Sequence, residues 1–518
     1  MWPGRIAAAH PDRAAVVMAG SGEVVTYRDL DEGSNRLAQL LYTRGLRFGD
    51  HIALCLENHP RFLEVAWAAM RSGLYFTPIN YHLTAEEVAY IVDDCDAQAL
   101  IVSSRLAPMV TELLDLLPAR VTTRLAIGPD VPDGYEDYAE VTAGYPATPL
   151  DEELEGHAML YSSGTTGRPK GIRYTLERKP VGNPVATFAG FRKTYDLDEQ
   201  SVYLSPAPLY HSAPLQFCIA MTRIGGTSVV LEHFDAEICL AAIERYHATH
   251  AQFVPTMFVR MLKLPEETRA RYDLSSLRIA IHAAAPCPVD IKRRMIEWWG
   301  PILFEYYSAT EAMGSTMITS EEWLAHPGSV GKPFHTTIHI LDEDNRECPV
   351  GEPGVVWFEP GARTLMFEYH KDPEKTARTR DARGWASVGD IGYLDEDGYL
   401  YLTDRQAFMI IAGGVNIYPR EIEDVLVLHP KVADVAVIGV PNDDLGEEVK
   451  ALVQLVDDEA PSDGVAAELL EHCRGRLARV KVPRSIDFVD VLPRLPTGKI
   501  QKHKLREPYW EGHASRLV

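Results

Sequence analysis

Residues 161–171 place small residues, hydroxyls and a lysine in one stretch, YSSGTTGRPKG. Glycines and serines let backbone amides approach an anion closely, hydroxyls donate hydrogen bonds, and Lys170 supplies positive charge. Together these residue types predict a phosphate-binding loop that follows a short apolar segment. The loop is not a Walker A loop, because that pattern requires Ser or Thr directly after the lysine, where this chain has Gly171. A Ser/Gly-rich surface turn is the alternative.

Five other segments carry residues suited to nucleotide and acyl chemistry. They are SPAPLYH at 205–211, AAAP at 283–286, YYSATE at 306–311, WASVGD at 385–390 and PTGKI at 496–500. Taken alone, the residues of interest also have ordinary structural interpretations. These are a buried structural histidine for His211, a helix cap for Glu311, a turn residue for Asp390, a solvated turn lysine for Lys499 and a tight turn for Gly413-Gly414.

Length and composition exclude several classes of protein. The chain has 518 residues, 46% hydrophobic and 24% charged, which is ordinary for a globular protein of about three domains or sub-domains. Its formal charge of 51 − 74 = −23 argues against nucleic-acid binding. We find no apolar stretch near the ~18 residues of a membrane span and no secretion signal. The seven cysteines form no CxxC pair. We therefore expect a soluble enzyme of a reduced compartment, the cytoplasm.

Helix and strand signals alternate along the chain and would position the segments described above. A capping box at Thr84 begins a helix. Strands are predicted at 252–254, 278–283 and 302–306, with a helix at 289–299 between the last two. Short apolar strands between helices predict parallel sheets covered on both faces, which is α/β architecture. Residues 129–155 form the most polar irregular stretch, and we expect a surface connection there.

Near residue 390 the sequence changes to tight turns, and strand and helix signals resume beyond residue 408. The remaining length of about 110 residues is natural for a separate small α+β domain. The sequence therefore predicts a domain boundary near 404–408.

In order and spacing, these segments resemble the motifs of the adenylate-forming superfamily, which includes acyl-CoA synthetases, luciferases and peptide synthetase adenylation domains. The resemblance covers essentially the whole chain and is strongest to a stand-alone, bacterial-type acyl-CoA synthetase. It implies a large AMP-binding N-terminal domain of layered α/β sub-domains at 1–403 and a hinge at 404–407. A small, mobile α+β C-terminal domain at 408–518 would carry the catalytic lysine, Lys499.

The resemblance also implies roles for individual residues. Catalysis would fall to Lys499, His211, Thr310 and Glu311, with Glu311 as the magnesium ligand. Tyr307 would stack on adenine, Asp390 and Arg405 would bind the ribose, and Gly413-Gly414 would shape the tunnel for the thiol. The full set implied for nucleotide and cosubstrate binding is Ser162, Ser163, Gly164, Thr165, Thr166, Gly167, Lys170, Ala284, Ala285, Tyr306, Tyr307, Ser308, Asp390, Arg405, Gly413 and Gly414.

Two positions depart from the family pattern. Ser308 stands where many relatives have glycine, and a residue this small should preserve the turn. Ala407 stands at the usual hinge pivot and removes a polar anchor that could favour one orientation of the small domain.

The implied reaction joins a carboxylic acid to AMP with Mg²⁺ and ATP and then transfers the acyl group. Coenzyme A is the expected acceptor because no carrier domain is appended, an amine is the alternative and a luciferase-like oxygenase is a third. A catalytically silent nucleotide-binding relative is the non-enzyme alternative. The three alanines 283–285 leave room near His211, Phe217 and Met257, and no cationic side chain is evident there. We therefore predict a hydrophobic fatty, aryl or alicyclic acid as substrate, with no indication of the oligomeric state.

Overall fold

The protein is a layered α/β chain, seen in a computed structural model that describes residues 2–162, 169–182, 191–285, 287–342, 344–361, 367–405, 408–412, 415–442, 445–494 and 500–511. Its strands are β1 Ala14–Met18, β2 Val24–Thr26, β3 His51–Cys55, β4 Tyr75–Pro78, β5 Ala97–Ser103, β6 Thr123–Ile127, β7 Glu136–Asp137, β8 His157–Ala158, β9 Leu160–Ser162, β10 Lys170–Tyr174, β11 Val202–Ser205, β12 Thr227–Val230, β13 His250–Phe253, β14 Ile279–His282, β15 Leu303–Ser308, β16 Ser315–Thr319, β17 Lys332–Pro333, β18 Thr337–Leu341, β19 Gly354–Glu359, β20 Phe367–Tyr369, β21 Asp390–Leu394, β22 Leu400–Arg405, β23 Ile410–Ala412, β24 Val415–Ile417, β25 Val432–Asn442, β26 Gly446–Leu455 and β27 Ser485–Phe488.

The α-helices are α1 Pro3–Ala9, α2 Tyr27–Thr43, α3 Phe62–Arg71, α4 Ala85–Asp94, α5 Ala107–Leu114, α6 Tyr138–Ala143, α7 Ser212–Ile224, α8 Ala236–Tyr246, α9 Pro255–Leu262, α10 Glu266–Arg269, α11 Val289–Trp299, α12 Ser320–Ala325, α13 Pro373–Arg378, α14 Pro419–Leu426, α15 Asp463–Arg474 and α16 Lys502–Trp510. Short 3-10 helices occur at Ser104–Leu106 and Arg479–Lys481. In the described part of the chain, every helix is too short or too polar to cross a bilayer.

Two large sheets form the body of the protein. The first has nine strands in the order β17-β16-β15-β14-β13-β11-β12-β1-β2, and its six central strands, β15 to β1 in that order, are parallel. The second has six parallel strands in the order β7-β6-β5-β3-β4-β8. The predicted parallel sheets and α/β class are therefore confirmed.

Two smaller antiparallel sheets complete the large domain. Strands β18-β19-β21-β22 form a four-stranded sheet, and β20-β10-β9 form a three-stranded sheet. In the second of these, Lys170 pairs with Ser162 in the β9–β10 hairpin, so residues 163–169 connect two hydrogen-bonded strands.

The C-terminal sheet, ordered β24-β23-β26-β25 with β27 beside β26, has an apolar core on each face. One core includes Ile422, Val437 and Leu469, and the other includes Ile438 and Leu452. This small domain follows β22, which ends at Arg405, while β23 begins at Ile410. Residues 406 and 407 lie outside the described residues, so the hinge at 404–407 stays a prediction.

The expectation of an irregular connection at 129–155 is wrong in part. That stretch contains the short strand β7 and the helix α6, whose Tyr138 is buried and donates a hydrogen bond of 2.7 Å to Glu64 Oε1. Glu153 accepts a hydrogen bond of 2.7 Å from Arg71 Nε. The helix has only six residues and shows no repeating apolar pattern. The hydrogen bond of its buried Tyr138 goes to a residue more than 70 positions away, and no local pattern predicts such a contact.

Candidate active site

A cleft of about 2730 Å³ opens where the nine-stranded sheet, the four-stranded sheet and the small domain meet. Four parallel strands, β11, β13, β14 and β15, end beside it, and the segments that follow them line its wall. In parallel α/β sheets, ligands bind beyond the carboxyl ends of the strands. The topology thus brings together three of the sequence-predicted segments, at 205–211, 283–285 and 306–311.

Glu311 lies in a turn between β15 and β16, with only 8% of its surface exposed. The Tyr369 hydroxyl donates a hydrogen bond of 2.6 Å to Glu311 Oε1, and the Tyr174 hydroxyl donates one of 2.8 Å to the Thr310 carbonyl. These two tyrosines fix the carboxylate and the backbone of the turn. No helix begins at the described residues 309–314, so the alternative of Glu311 as a helix cap is wrong.

Tyr307 and Asp390 are in direct contact, although the sequence separates them by 83 positions. The Tyr307 hydroxyl donates a hydrogen bond of 2.5 Å to Asp390 Oδ2, and the carboxylate is 7% exposed at the start of β21. Gly389 before it has φ +79, a conformation that suits glycine. The structure therefore places the residue predicted to stack on adenine beside the residue predicted to bind the ribose.

The loop after β14 holds Ala284 at φ +72, a left-handed conformation that costs a non-glycine residue of order 1–2 kcal/mol. A buried ion pair joins the helix that follows this loop to the neighbouring strand: Lys292 Nζ, on α11, lies 2.5 Å from Glu305 Oε2, on β15. His282, at the end of β14, is the cross-strand neighbour of Glu305. Burial and the Lys292 charge hold the His282 pKa well below its usual range, so this imidazole stays neutral.

Sequence reasoning missed this buried group. His282, Lys292 and Glu305 belong to three separate elements; His282 and Glu305 stand in otherwise apolar strands, and Lys292 lies on the buried face of a helix that carries other charges. The signal that could have found them is a charged residue on the apolar face of a predicted helix, since such residues are buried only when paired.

His211 is the residue directly before α7 and lies on the wall of the cleft, with its ring centroid 4.3 Å from that of Tyr210. Phe217 on α7 and Met257 on α9 are buried and also line the cleft, as do Ala284 and Ala285. The predicted acid-binding residues are thus gathered in one region. Tyr306 and Ser308 lie on the same wall.

Lys170 begins β10, and its Nζ lies 3.2 Å from Asp372 Oδ2, the residue that caps α13. Beside it, the Tyr161 hydroxyl donates a hydrogen bond of 2.6 Å to Asp94 Oδ2. These contacts hold the β9–β10 hairpin on both sides of the predicted phosphate loop. The loop itself, with Ser163, Gly164, Thr165, Thr166 and Gly167, lies outside the described residues, as does the side chain of Ser162.

Other predicted site residues also fall outside the described part of the chain. They are Gly413, Gly414, Lys499 and the side chain of Arg405, so their roles stay predictions. The backbone of Arg405 is described: it pairs with Asp390 across β21 and β22.

Two family models match this chain. The model of the AMP-binding enzyme matches residues 5–369, which is more than half of the sequence. The chain belongs to the AMP-binding enzyme family. The model of the AMP-binding enzyme C-terminal domain matches residues 421–499 of the small domain. The predicted membership of the adenylate-forming superfamily is confirmed.

Relatives of this AMP-binding enzyme cover it from end to end. A feruloyl-CoA synthase from Amycolatopsis is 34% identical over 524 residues, which cover 98% of this chain and 98% of that protein. The o-succinylbenzoate CoA synthetase from Bacillus subtilis, solved with its acyl-adenylate intermediate, matches with a TM-score of 0.81 and 26% identity over 99% of this chain and 98% of that one. The amide bond synthetase from Marinactinospora thermotolerans matches with a TM-score of 0.81 and 28% identity over 98% of this chain and 99% of that one. The predicted large and small domains are confirmed by these folds.

Proposed function

We propose that this AMP-binding enzyme is an AMP-forming acyl-CoA synthetase that activates a hydrophobic carboxylic acid with ATP and transfers the acyl group to coenzyme A. The observation that carries the proposal is the convergence of Glu311, Asp390 and Tyr307 on one cleft that His211 and the apolar acid-binding residues also line. A nucleotide site and an acyl site within one cavity are what acyl-adenylate formation requires, because the two substrates must meet.

In the first step, a carboxylate oxygen of the acid attacks the α-phosphorus of ATP. The bond between that phosphorus and the bridging oxygen of the β-phosphate breaks, and pyrophosphate leaves with the electron pair. Negative charge grows on the phosphate oxygens, and fixed donors and cations stabilise it without reorganising. Thr310 beside Glu311 would contact the α-phosphate, Lys170 would contact the triphosphate, and Lys499 would bridge the carboxylate and the α-phosphate.

Magnesium would be held by Glu311 and by the phosphate oxygens of ATP. The buried carboxylate is an oxygen donor of the kind that Mg²⁺ prefers, and Tyr369 fixes one of its oxygens. Within the described ranges no group of three His, Cys, Asp or Glu residues could hold a metal ion. The ion would neutralise charge on the leaving pyrophosphate.

The acid would lie between α7 and the loop after β14. Phe217, Met257 and the alanines 284–285 give this region an apolar surface, and His211 stands at its edge. Farther along the cleft wall, the Arg223 guanidinium contacts the Glu155 carboxylate, so that its charge is balanced within the protein. The apolar surface favours a fatty, aryl or alicyclic acid as substrate.

In the second step, the sulfur of coenzyme A attacks the acyl carbon, the bond from that carbon to the AMP oxygen breaks, and the thiol proton is released. Coenzyme A is favoured as acceptor because a feruloyl-CoA synthase resembles the chain over nearly its whole length. An amide bond synthetase has a similar fold, so transfer to an amine is the competing outcome.

A pyrophosphate-release assay tests the proposal. The purified protein is given ATP, Mg²⁺ and a panel of aliphatic, aryl and alicyclic acids, with acetate and succinate as small and dicarboxylic controls. We expect AMP and pyrophosphate with the hydrophobic acids and acyl-CoA when coenzyme A is added. Formation of ADP and phosphate would overturn the adenylation step. Amide formation that saturates with the amine and ignores coenzyme A would overturn the choice of acceptor.

A further inference from the structure

Lys375, a residue to which neither the sequence motifs nor the proposed reaction gives a role, lies on α13 at the wall of the cleft. Its ammonium group is 4.2 Å from the centroid of the Tyr369 ring, a cation–π contact. The hydroxyl of the same tyrosine donates the 2.6 Å hydrogen bond to Glu311 Oε1. One ring therefore separates a positive charge from the carboxylate proposed to hold magnesium.

Asp372 connects Lys375 to Lys170. One oxygen of its carboxylate, Oδ1, accepts a hydrogen bond of 3.0 Å from the Lys375 backbone N–H at the first turn of α13. The other, Oδ2, lies 3.2 Å from Lys170 Nζ. The short segment 372–375 thus brings two lysines and two carboxylates, counting Glu311, close together, and of these Lys375 and Glu311 line the cleft.

The two ammonium groups of this cluster lie close enough to repel each other, although carboxylates stand beside both. Burial lowers the pKa of Lys375, the charge of Lys170 lowers it further, and the carboxylates of Glu311 and Asp372 oppose the decrease. A triphosphate carries several negative charges, and it would relieve the repulsion between the two ammonium groups. The arrangement is therefore suited to a polyanion.

From this geometry we infer that Lys375 is a second triphosphate-binding residue, which contacts the β- and γ-phosphates of ATP and stabilises pyrophosphate as it leaves. The inference rests on the proposed function, because pyrophosphate is the leaving group only in adenylation. Lys375 neighbours Lys170 and Glu311, whereas Tyr307 and Asp390 mark the nucleoside end. Its charge would therefore act on the phosphates that depart with the electron pair of the broken bond.

The test compares three variants. Lys375→Met removes the charge and keeps the length of the side chain, and Lys375→Arg keeps the charge. Lys371→Met is the matched control: it lies four positions earlier, and its Nζ is 2.8 Å from Asp96 Oδ1, in an exposed ion pair. Binding of magnesium pyrophosphate is measured by calorimetry, the ATP–pyrophosphate exchange rate is measured with a hydrophobic acid, and thermal melting is used to check that each variant folds.

We expect Lys375→Met to weaken pyrophosphate binding about tenfold and to slow exchange by roughly 10–100-fold, below the loss expected for a main charge-stabilising donor. Lys375→Arg should stay within about threefold of the wild type on both measures, and Lys371→Met should match it. Unchanged pyrophosphate affinity in Lys375→Met would overturn the inference, as would an equal loss in a folded Lys375→Arg. Failure of the wild type to exchange pyrophosphate with any acid would instead overturn the proposed function.

Discussion

At the scale of single residues, Glu311 is the carboxylate on which the proposed use of Mg·ATP depends most. It is buried, and one of its oxygens is fixed by the Tyr369 hydroxyl. Substitution Glu311→Gln keeps the size and the acceptor for Tyr369 but removes the charge that magnesium requires. We expect acyl-adenylate formation to fall by about 10²–10³-fold, as for the loss of one preorganised charge-stabilising group.

Pyrophosphate release measured across magnesium concentrations checks this prediction for Glu311→Gln, and Glu321→Gln, exposed on α12, is the control. A magnesium response like that of the wild type would remove Glu311 from the site.

The hydrogen bond between Tyr307 and Asp390 leads to a second prediction. If Asp390 accepts hydrogen bonds from the ribose, Asp390→Ala should raise the KM for ATP by about 10–100-fold, since bonds to charged groups contribute roughly 1.5–3 kcal/mol. Tyr307→Phe keeps the stacking ring and removes the hydroxyl that donates a hydrogen bond to the Asp390 carboxylate. It should therefore change the KM by less than about threefold. Steady-state kinetics of both variants test the assignment of Asp390 to the ribose. A larger rise in the KM for ATP in Tyr307→Phe than in Asp390→Ala would contradict it.

At the scale of elements, the buried Lys292–Glu305 pair connects β15 to α11, the helix that follows the loop containing Ala284. Removal of Lys292 leaves the buried Glu305 carboxylate beside the neutral His282 imidazole, 3.5 Å away, and loss of one partner of a buried ion pair typically costs about 3–5 kcal/mol. Lys292→Met should therefore lower the melting temperature strongly and raise the KM for ATP. The double variant Lys292→Met/Glu305→Gln should recover much of the stability. Calorimetry on the single and double variants measures both effects. A single variant as stable as the wild type would show that the pair contributes nothing.

The elements also show what one sequence can predict. The capping box predicted at Thr84 is present in the structure, and the helix predicted at 289–299 is α11 with the same bounds. These signals are local, because a cap and an apolar period lie within a few residues. The contacts that position the site are not local: Tyr369 is 58 residues from Glu311, and Tyr307 is 83 from Asp390. Only the order and spacing of all the motifs taken together predicted that these segments would lie in one site.

At the scale of the whole molecule, the two domains meet across the cleft, where Lys263 Nζ of the large domain donates a hydrogen bond of 3.0 Å to the Val432 carbonyl of the small domain. The small domain also contributes Arg420 and Lys502 to the cleft wall. Closure of a domain over an active site excludes water and completes the set of catalytic groups. The sequence places Lys499 in this domain, so its contribution should depend on the orientation of the domain.

Half-reactions measured separately test this dependence. Lys499→Ala should slow acyl-adenylate formation by roughly 10²–10³-fold, while thioester formation from supplied acyl-adenylate should be largely spared. The reason is that the small domain would turn Lys499 away before the thiol enters. Lys481→Ala is the control, because Lys481 belongs to the same domain but its Nζ lies 2.6 Å from Glu421 Oε2 in an ion pair of that domain. An equal loss in both half-reactions would contradict a cycle of alternating domain orientations.

The free cysteines offer a direct way to observe that cycle. Six of the seven are buried, and only Cys348 is partly exposed. Burial raises the pKa of the Cys55 and Cys218 thiols to about 12, so both stay protonated and react slowly with alkylating reagents. A Cys348→Ser background would therefore present almost no reactive thiol at the surface. One cysteine introduced in each domain could then carry a pair of fluorescent dyes, and energy transfer between them would follow the domain motion in single molecules during turnover.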